Sequence, residues 1–176
     1  MNIMVTGGCG FIGSNFIRYI LETRPENLIV NFDKLTYAGN LENLKDVSDN
    51  PNYKFVKGDI CERSSVESVI KDYNIEAIIN FAAESHVDRS IMGPAIFVET
   101  NIGGTNVLLE VVKDFKIKRF IQISTDEVYG SLGPTGKFRE DTPLHPNSPY
   151  SASKAAADLL ALAYHHTFGL PIIVTR

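Results

Sequence analysis

The chain of 176 residues predicts an α/β fold, with helices covering both faces of one parallel sheet. Three observations carry that reading. Short apolar, β-branched runs recur along the sequence, longer stretches of helical periodicity alternate with them, and a glycine-rich turn joins the first run to the first helix. The runs are Ile3-Met4-Val5, Leu28-Ile29-Val30, Phe55-Val56, Ala77-Ile78-Ile79, Phe120-Ile121-Gln122-Ile123 and Ile172-Ile173-Val174. Their composition suits strands buried on both faces. Helical spacing fills residues 11–22, 64–73, 95–115 and 151–168, the second opening on a Ser64-Ser65 pair that reads as a cap. Strand-helix alternation implies crossover connections and a doubly wound sheet of order 3-2-1-4-5-6. Residues 131–149, rich in Gly, Pro and Ser, read as a surface loop.

Bulk properties narrow the function. Hydrophobic residues make up 44% and charged residues 22%, ordinary values for a globular protein. The net charge is -4 and no Lys/Arg stripe exists, which argues against a nucleic-acid surface. An anionic ligand must then be held by local donors. No apolar stretch is expected to reach membrane-spanning length, and the start Met1-Asn2-Ile3-Met4 lacks the pattern of a signal peptide, so a cytoplasmic protein is expected. Cys9 and Cys61 read as free thiols, and adjacent His165-His166 have the wrong spacing to share a metal on one helix face, so no metal site is expected. The sixth run ends at Arg176 with nothing after it to close over a substrate. Residues 1–176 are therefore expected to form one nucleotide-binding domain of Rossmann type, with a C-terminal substrate lobe absent.

Gly7-Gly8-Cys9-Gly10-Phe11-Ile12-Gly13 lies between the first strand and the first helix. Glycines there permit a tight turn and close backbone approach to a pyrophosphate, which the free amides of the helix start then face. Gly7, Gly10, Phe11, Ile12 and Gly13 are the candidate contacts. Asp33 ends the second strand, twenty positions after Gly13. A carboxylate there can accept from both ribose hydroxyls and repel a 2′-phosphate, which favours NAD over NADP. Lys34, Leu35 and Thr36 follow as candidate lining of the ribose pocket. Asp59 and Ile60 follow the third strand, where an adenine should lie. Phe81, Ala82 and Ala83 follow the fourth, where small side chains let a cofactor run along the sheet edge.

Tyr150-Ser151-Ala152-Ser153-Lys154 gives Tyr-x-x-x-Lys, whose spacing puts both side chains on one helix face. A free phenol is a poor base at neutral pH, with a pKa near ~10. A nearby ammonium and a positive nicotinamide would both favour phenolate. The pair can then remove a hydroxyl proton as hydride leaves the same carbon. Ser124-Thr125 ends the fifth strand, and Thr125 can complete the hydrogen bonds around the substrate oxygen.

The early Thr-Gly-Gly-x-Gly-Phe-Ile-Gly and the late Tyr-x-x-x-Lys resemble the extended short-chain dehydrogenases, which include sugar-nucleotide epimerases, dehydratases and reductases. Three further stretches resemble the dTDP-glucose 4,6-dehydratases: Asp33-Lys34-Leu35-Thr36-Tyr37-Ala38-Gly39-Asn40, the segment from Ala82 through Glu84-Ser85-His86 to Ser90, and Ser124-Thr125-Asp126-Glu127-Val128-Tyr129-Gly130. The resemblance spans essentially the whole chain. It implies NAD as a tightly held cofactor and a nucleotide sugar as substrate. Tyr150 would take the C4 hydroxyl proton as C4 is oxidised. Glu127 as base at C5 and Asp126 as acid at the C6 hydroxyl would then expel water, and the hydride would return to C6. Neighbours in extended backbone point to opposite sides, so one dipeptide could serve two carbons. The acid must stay protonated, which requires desolvation or a nearby like charge. By the same resemblance Ser85 contacts substrate and cofactor, and Thr100 the cofactor. The helix after Tyr150 is apolar nearly all round, and the resemblance implies that its outer side meets a second copy in a homodimer. Two alternatives stay open: another enzyme of this superfamily such as a C4 epimerase, which Asp126-Glu127 argues against, and a non-catalytic NAD-binding module.

Overall fold

The computed structural model describes residues 1–176. Strands β1 (Asn2–Thr6), β2 (Leu28–Asp33), β3 (Tyr53–Lys57), β4 (Ala77–Asn80), β5 (Arg119–Ile123) and β6 (Ile172–Thr175) form one sheet, ordered β3-β2-β1-β4-β5-β6. Every pairing is parallel, as the alternation predicts. Thr6 sits opposite Phe32 on one side and Asn80 on the other, so the chain reverses its direction of travel across the sheet beside β1. At such a point the crossovers leave on opposite faces and a crevice opens beyond the strand ends.

Alternating strand residues feed two cores. On one face Met4, Val30, Phe32, Ile78 and Phe120 pack with Val66 and Val69 of α2 (Arg63–Tyr73) and Leu108, Leu109 and Val112 of α5 (Thr105–Asp114). On the other, Ile3, Val5, Ile29 and Ile79 pack with Ile17 and Leu21 of α1 (Phe11–Thr23). Across the strand ends runs a buried polar ladder: the Thr6 hydroxyl donates to Asn80 Oδ1 (2.6 Å), and Asn80 Nδ2 donates to Gln122 Oε1 (2.9 Å).

Several local expectations change. Helix α2 begins at Arg63 after Glu62 with no side-chain cap; Ser64 and Ser65 lie inside its first turn, and Ser65 bonds the Glu62 carboxylate instead. The single helix expected over 95–115 is three pieces: α4 (Ala95–Phe97), a π-helical turn (Val98–Gly104) and α5. By length and composition this stretch, Ala95–Asp114 at a mean hydropathy of 1.2, does reach the membrane-spanning range, contrary to expectation. Leu108, Leu109, Val111 and Val112 of its second half are fully buried as in a core helix, while Ile96 and Val98 near its start are exposed. A 3-10 turn (Leu41–Val47) and the short helix α3 (Val87–Met92) had no periodic signal. Helix α6 (Pro149–Phe168) starts two residues early. Pro149 occupies the first turn, and Ser148 and Ser151 form a reciprocal capping box. Residues 131–148 contain no helix or strand.

Candidate active site

A cleft of about 420 Å³ lies over the carboxyl ends of the strands. Gly7 has φ +67°, and a Cβ there would sit 2.6 Å from the Ala82 amide nitrogen, so the segment after β4 can pass only against a glycine. A Cβ on Gly13 would sit 2.5 Å from the Gly7 carbonyl oxygen, which fixes how closely α1 approaches the turn. No side chain caps α1. Its first-turn residues Phe11, Ile12 and Gly13, with Gly10, line the cleft, and this turn offers uncapped amides to an anion.

Asp33 is buried at the end of β2, where Oδ2 accepts from the Cys9 amide and Oδ1 from the Leu35 amide, both at 2.8 Å. A carboxylate oxygen has a second lone pair, so the side chain can be tied to the loop and still accept from a ligand. Lys34, Thr36, Asp59 and Ile60 also line the cleft. The Lys34 ammonium lies 2.5 Å from Asp59 Oδ2. Burial acts upward on Asp59, but that ammonium and the Cys61 amide together hold its carboxyl below the usual range. Phe81, Ala82, Ala83, Ser85 and Thr100 complete the wall near the sheet. Leu35 is the exception among the residues expected here. Its backbone takes φ +58° and its side chain packs into the core on the α1 face, so only its amide serves the site, by holding Asp33.

The far end of the cleft carries the phenol and the ammonium. Tyr150, 9% exposed, packs edge-on to Phe97, and Lys154, 4% exposed, donates to the Ile123 carbonyl at 2.6 Å. Burial pushes the Lys154 ammonium down to about 8, with the Asp158 carboxylate acting the other way. Tyr150 departs from expectation. Burial, with the charges of Glu127 and Asp126, raises its pKa, while the Thr125 hydroxyl within hydrogen-bonding reach lowers it. The ammonium is committed to a backbone carbonyl, so the net shift disfavours phenolate. Residues 126–129 pack against α6, the helix of Tyr150, and Thr125, Asp126 and Glu127 all lie outside the cleft wall. Thr125 is extended, but Asp126 and Glu127 are not, contrary to the expected alternation of neighbours. Thr125 caps a 3-10 turn (Asp126–Tyr129), its oxygen accepting from the Glu127 amide at 3.2 Å. Successive residues of such a turn are about 120° apart, so the two carboxyls still diverge. Both are exposed, so Asp126 is not desolvated by this chain's own residues.

One organising residue had no sequence signal. Asn101, on the π-helical turn and buried, accepts from the Glu84 amide (2.8 Å) and donates to the Glu84 carbonyl (2.9 Å) and to Ser153 Oγ (2.8 Å). It ties the segment after β4 to the helix that carries Tyr150 and Lys154. The Gly103-Gly104 pair beside it is the only hint of a broken helix.

A family model described as "GDP-mannose 4,6 dehydratase" matches residues 4–176. The chain belongs to that family. Among its relatives, a dTDP-glucose 4,6-dehydratase of Xanthomonas campestris is 52% identical over 98% of this chain and 51% of its own length. A low-salt glycan biosynthesis protein, Agl12, of Haloferax volcanii is 53% identical over 100% and 56%. Among solved structures, a dTDP-glucose 4,6-dehydratase of Bacillus anthracis in complex with NAD has a TM-score of 0.92 at 56% identity, covering all of this chain and 54% of that one. The family also has more distant neighbours: a UDP-glucose 4-epimerase of Thermus thermophilus complexed with NAD has a TM-score of 0.90 at 28% identity. The chain spans about half the length of the curated relatives it matches.

Proposed function

We propose that this chain is the NAD-binding and catalytic half of a cytoplasmic, homodimeric dTDP-glucose 4,6-dehydratase, forming dTDP-4-keto-6-deoxyglucose. The observation that carries the reading is the pair of carboxyls, Asp126 and Glu127, on a turn packed against the helix of Tyr150, beside a cleft lined by the glycine turn, Asp33 and Lys154. A C4 epimerase needs the phenol alone; an elimination across C5 and C6 needs an acid and a base as well. The relatives named dTDP-glucose 4,6-dehydratase support the substrate, and the NAD of the Bacillus anthracis structure supports the cofactor.

The residues fit NAD. Amides at the start of α1 receive the pyrophosphate, Asp33 the adenosine ribose diol, and Asp59 with Lys34 and Ile60 the adenine side. Thr100 and Ser85 flank its path, Ser85 touching the sugar as well, and Lys154 holds the nicotinamide ribose. NAD bound there would accept hydride from C4 of the sugar and give it back at C6, C5 being reprotonated as it does. Tyr150 takes the C4 hydroxyl proton while Thr125 holds that oxygen. Because burial raises the phenol, its deprotonation would depend on the positive charge that bound NAD supplies. The C4 ketone acidifies the C5 hydrogen, which Glu127 removes as Asp126 protonates the departing C6 hydroxyl. The substrate and the rest of the protein must supply the dry cover that Asp126 needs to stay protonated.

The test is turnover of dTDP-glucose by the full-length protein, with the 4-keto product as readout. Glu127→Gln should lower kcat by about a hundredfold or more with little change in KM, and should leave oxidation at C4, read as formation of NADH, in place. Conversion to the C4 epimer without loss of water would overturn the reading.

A further inference from the structure

The mechanism above leaves one buried carboxylate unused. Asp158 lies on α6 four residues beyond Lys154 and is fully buried. Its Oδ2 accepts from the Ser124 hydroxyl at 2.8 Å and from Arg176 Nε at 2.9 Å, while its Oδ1, equally inaccessible, has no partner. Arg176 Nη1 in turn donates to the Tyr129 hydroxyl at 3.1 Å, and the guanidinium lies 5.3 Å from the centre of the Tyr129 ring. Ser124 and Tyr129 are the two ends of the segment that holds Thr125, Asp126 and Glu127. A charge buried with one oxygen unsatisfied is a poor device for stability, since an apolar residue of similar volume commonly does as well. The neighbouring inward positions of α6 are Lys154, Ala155, Ala157 and Ala161, and Lys154 donates to the Ile123 carbonyl, not to Asp158.

We propose that Asp158 and Arg176 are positioning residues for the carboxyl pair, an inference that rests on the dehydratase reading. Asp158 grips the segment at Ser124, and Arg176 carries the grip to Tyr129. Tyr150 and Asp158 share one helix, eight residues apart and rigidly spaced. The same element therefore sets the base of the oxidation and the frame of the elimination, and fixes C4 chemistry against C5 and C6 chemistry on one sugar ring. Loosening the grip at Tyr129 shifts Asp126 and Glu127 relative to Tyr150 and leaves the cofactor cleft alone, whereas Asp158 also acts on Lys154 and on Ser124 of the cleft wall.

The experiment uses the full-length protein, turning over dTDP-glucose deuterated at C4 or at C5. Tyr129→Phe keeps the ring and removes only the hydroxyl that Arg176 reaches, so it carries the test even if Asp158→Asn fails to fold. In both variants kcat should fall by about tenfold or more while KM stays within about threefold, because a misplacement of ~1 Å can cost a hundredfold in rate. The C5 isotope effect on kcat should grow and the C4 effect shrink, since the elimination becomes the slow step. Variants that slow both steps alike, or neither, overturn the tether while the dehydratase reading stands. An unmutated protein that never eliminates water overturns that reading and the tether together.

Discussion

Lys154 is where chemistry and stability oppose each other at the scale of one residue. Its ammonium is 4% exposed and titrates near about 8, against an ordinary 10.5. A folded pKa below the unfolded one means that folding disfavours the protonated form. The penalty is complete below about pH 8 and fades as pH rises toward 10.5. Lys154→Met should therefore abolish turnover yet stabilise the fold at pH 7, by roughly 1–3 kcal/mol, with the gap closing between about pH 8 and pH 10. Denaturant midpoints of parent and variant across that range would read it; a variant less stable at every pH would refute it. Asp33 behaves differently. Its place was legible because a strand end twenty residues after a glycine turn has one ordinary use in this fold. Its two backbone ties were not legible, because they depend on Leu35 at φ +58°, a conformation nothing in a leucine advertises. Asp33→Ala should weaken NAD binding by about tenfold or more and also loosen the glycine loop, since the Cys9 and Leu35 amides lose their acceptor. Isothermal titration alongside hydrogen exchange at those two amides separates the effects.

At the scale of elements, the sequence exposed periods but not their interruptions. All six strands stand where the apolar runs lie, but only β1, β2 and β4 are buried on both faces as those runs predict; β3, β5 and β6, toward the sheet edges, are partly exposed. The stretch 95–115 keeps helical spacing throughout, so nothing in its hydrophobic pattern shows the π-helical turn at Val98–Gly104. That turn brings Asn101 to face both Glu84 and Ser153. The 3-10 turn at Asp126–Tyr129 is hidden for a related reason: four residues are too few for a period, and a threonine at a strand end marks a site residue as readily as a cap. The Asn101 clasp predicts a measurable loss. Asn101→Ala leaves the half-buried Glu84 amide and carbonyl without a partner, while Ser153 keeps its bond to the Tyr150 carbonyl, at a cost of about 1–3 kcal/mol. A urea midpoint that falls at constant slope would bear this out, and a drop smaller than about 1 kcal/mol would show that water replaces the amide.

For the whole molecule, the open question is what covers the outer side of α6. Its inner side is occupied: Lys154, Ala155, Ala157, Asp158 and Ala161 are buried. Ala152, Leu159, Leu162 and Ala163 are exposed, and Leu159 keeps 58% of its surface accessible. Ala152, Leu159 and Ala163 are seven and then four residues apart, so they share one face of the helix. Helices lined by alanine can approach closely, and a two-fold axis lets one such face pair with itself without any second complementary surface. That geometry favours a second copy of the protein over an unrelated partner. Leu159→Arg then places two guanidinium groups against each other across the axis, where their repulsion and desolvation oppose pairing. In the full-length protein the substitution should shift sedimentation from dimer to monomer at micromolar concentration, with NAD affinity unchanged because Leu159 is absent from the cleft wall. If parent and variant sediment alike as monomers, the remainder of the protein's own chain covers this face, and the dimer proposal falls while the cofactor site stands.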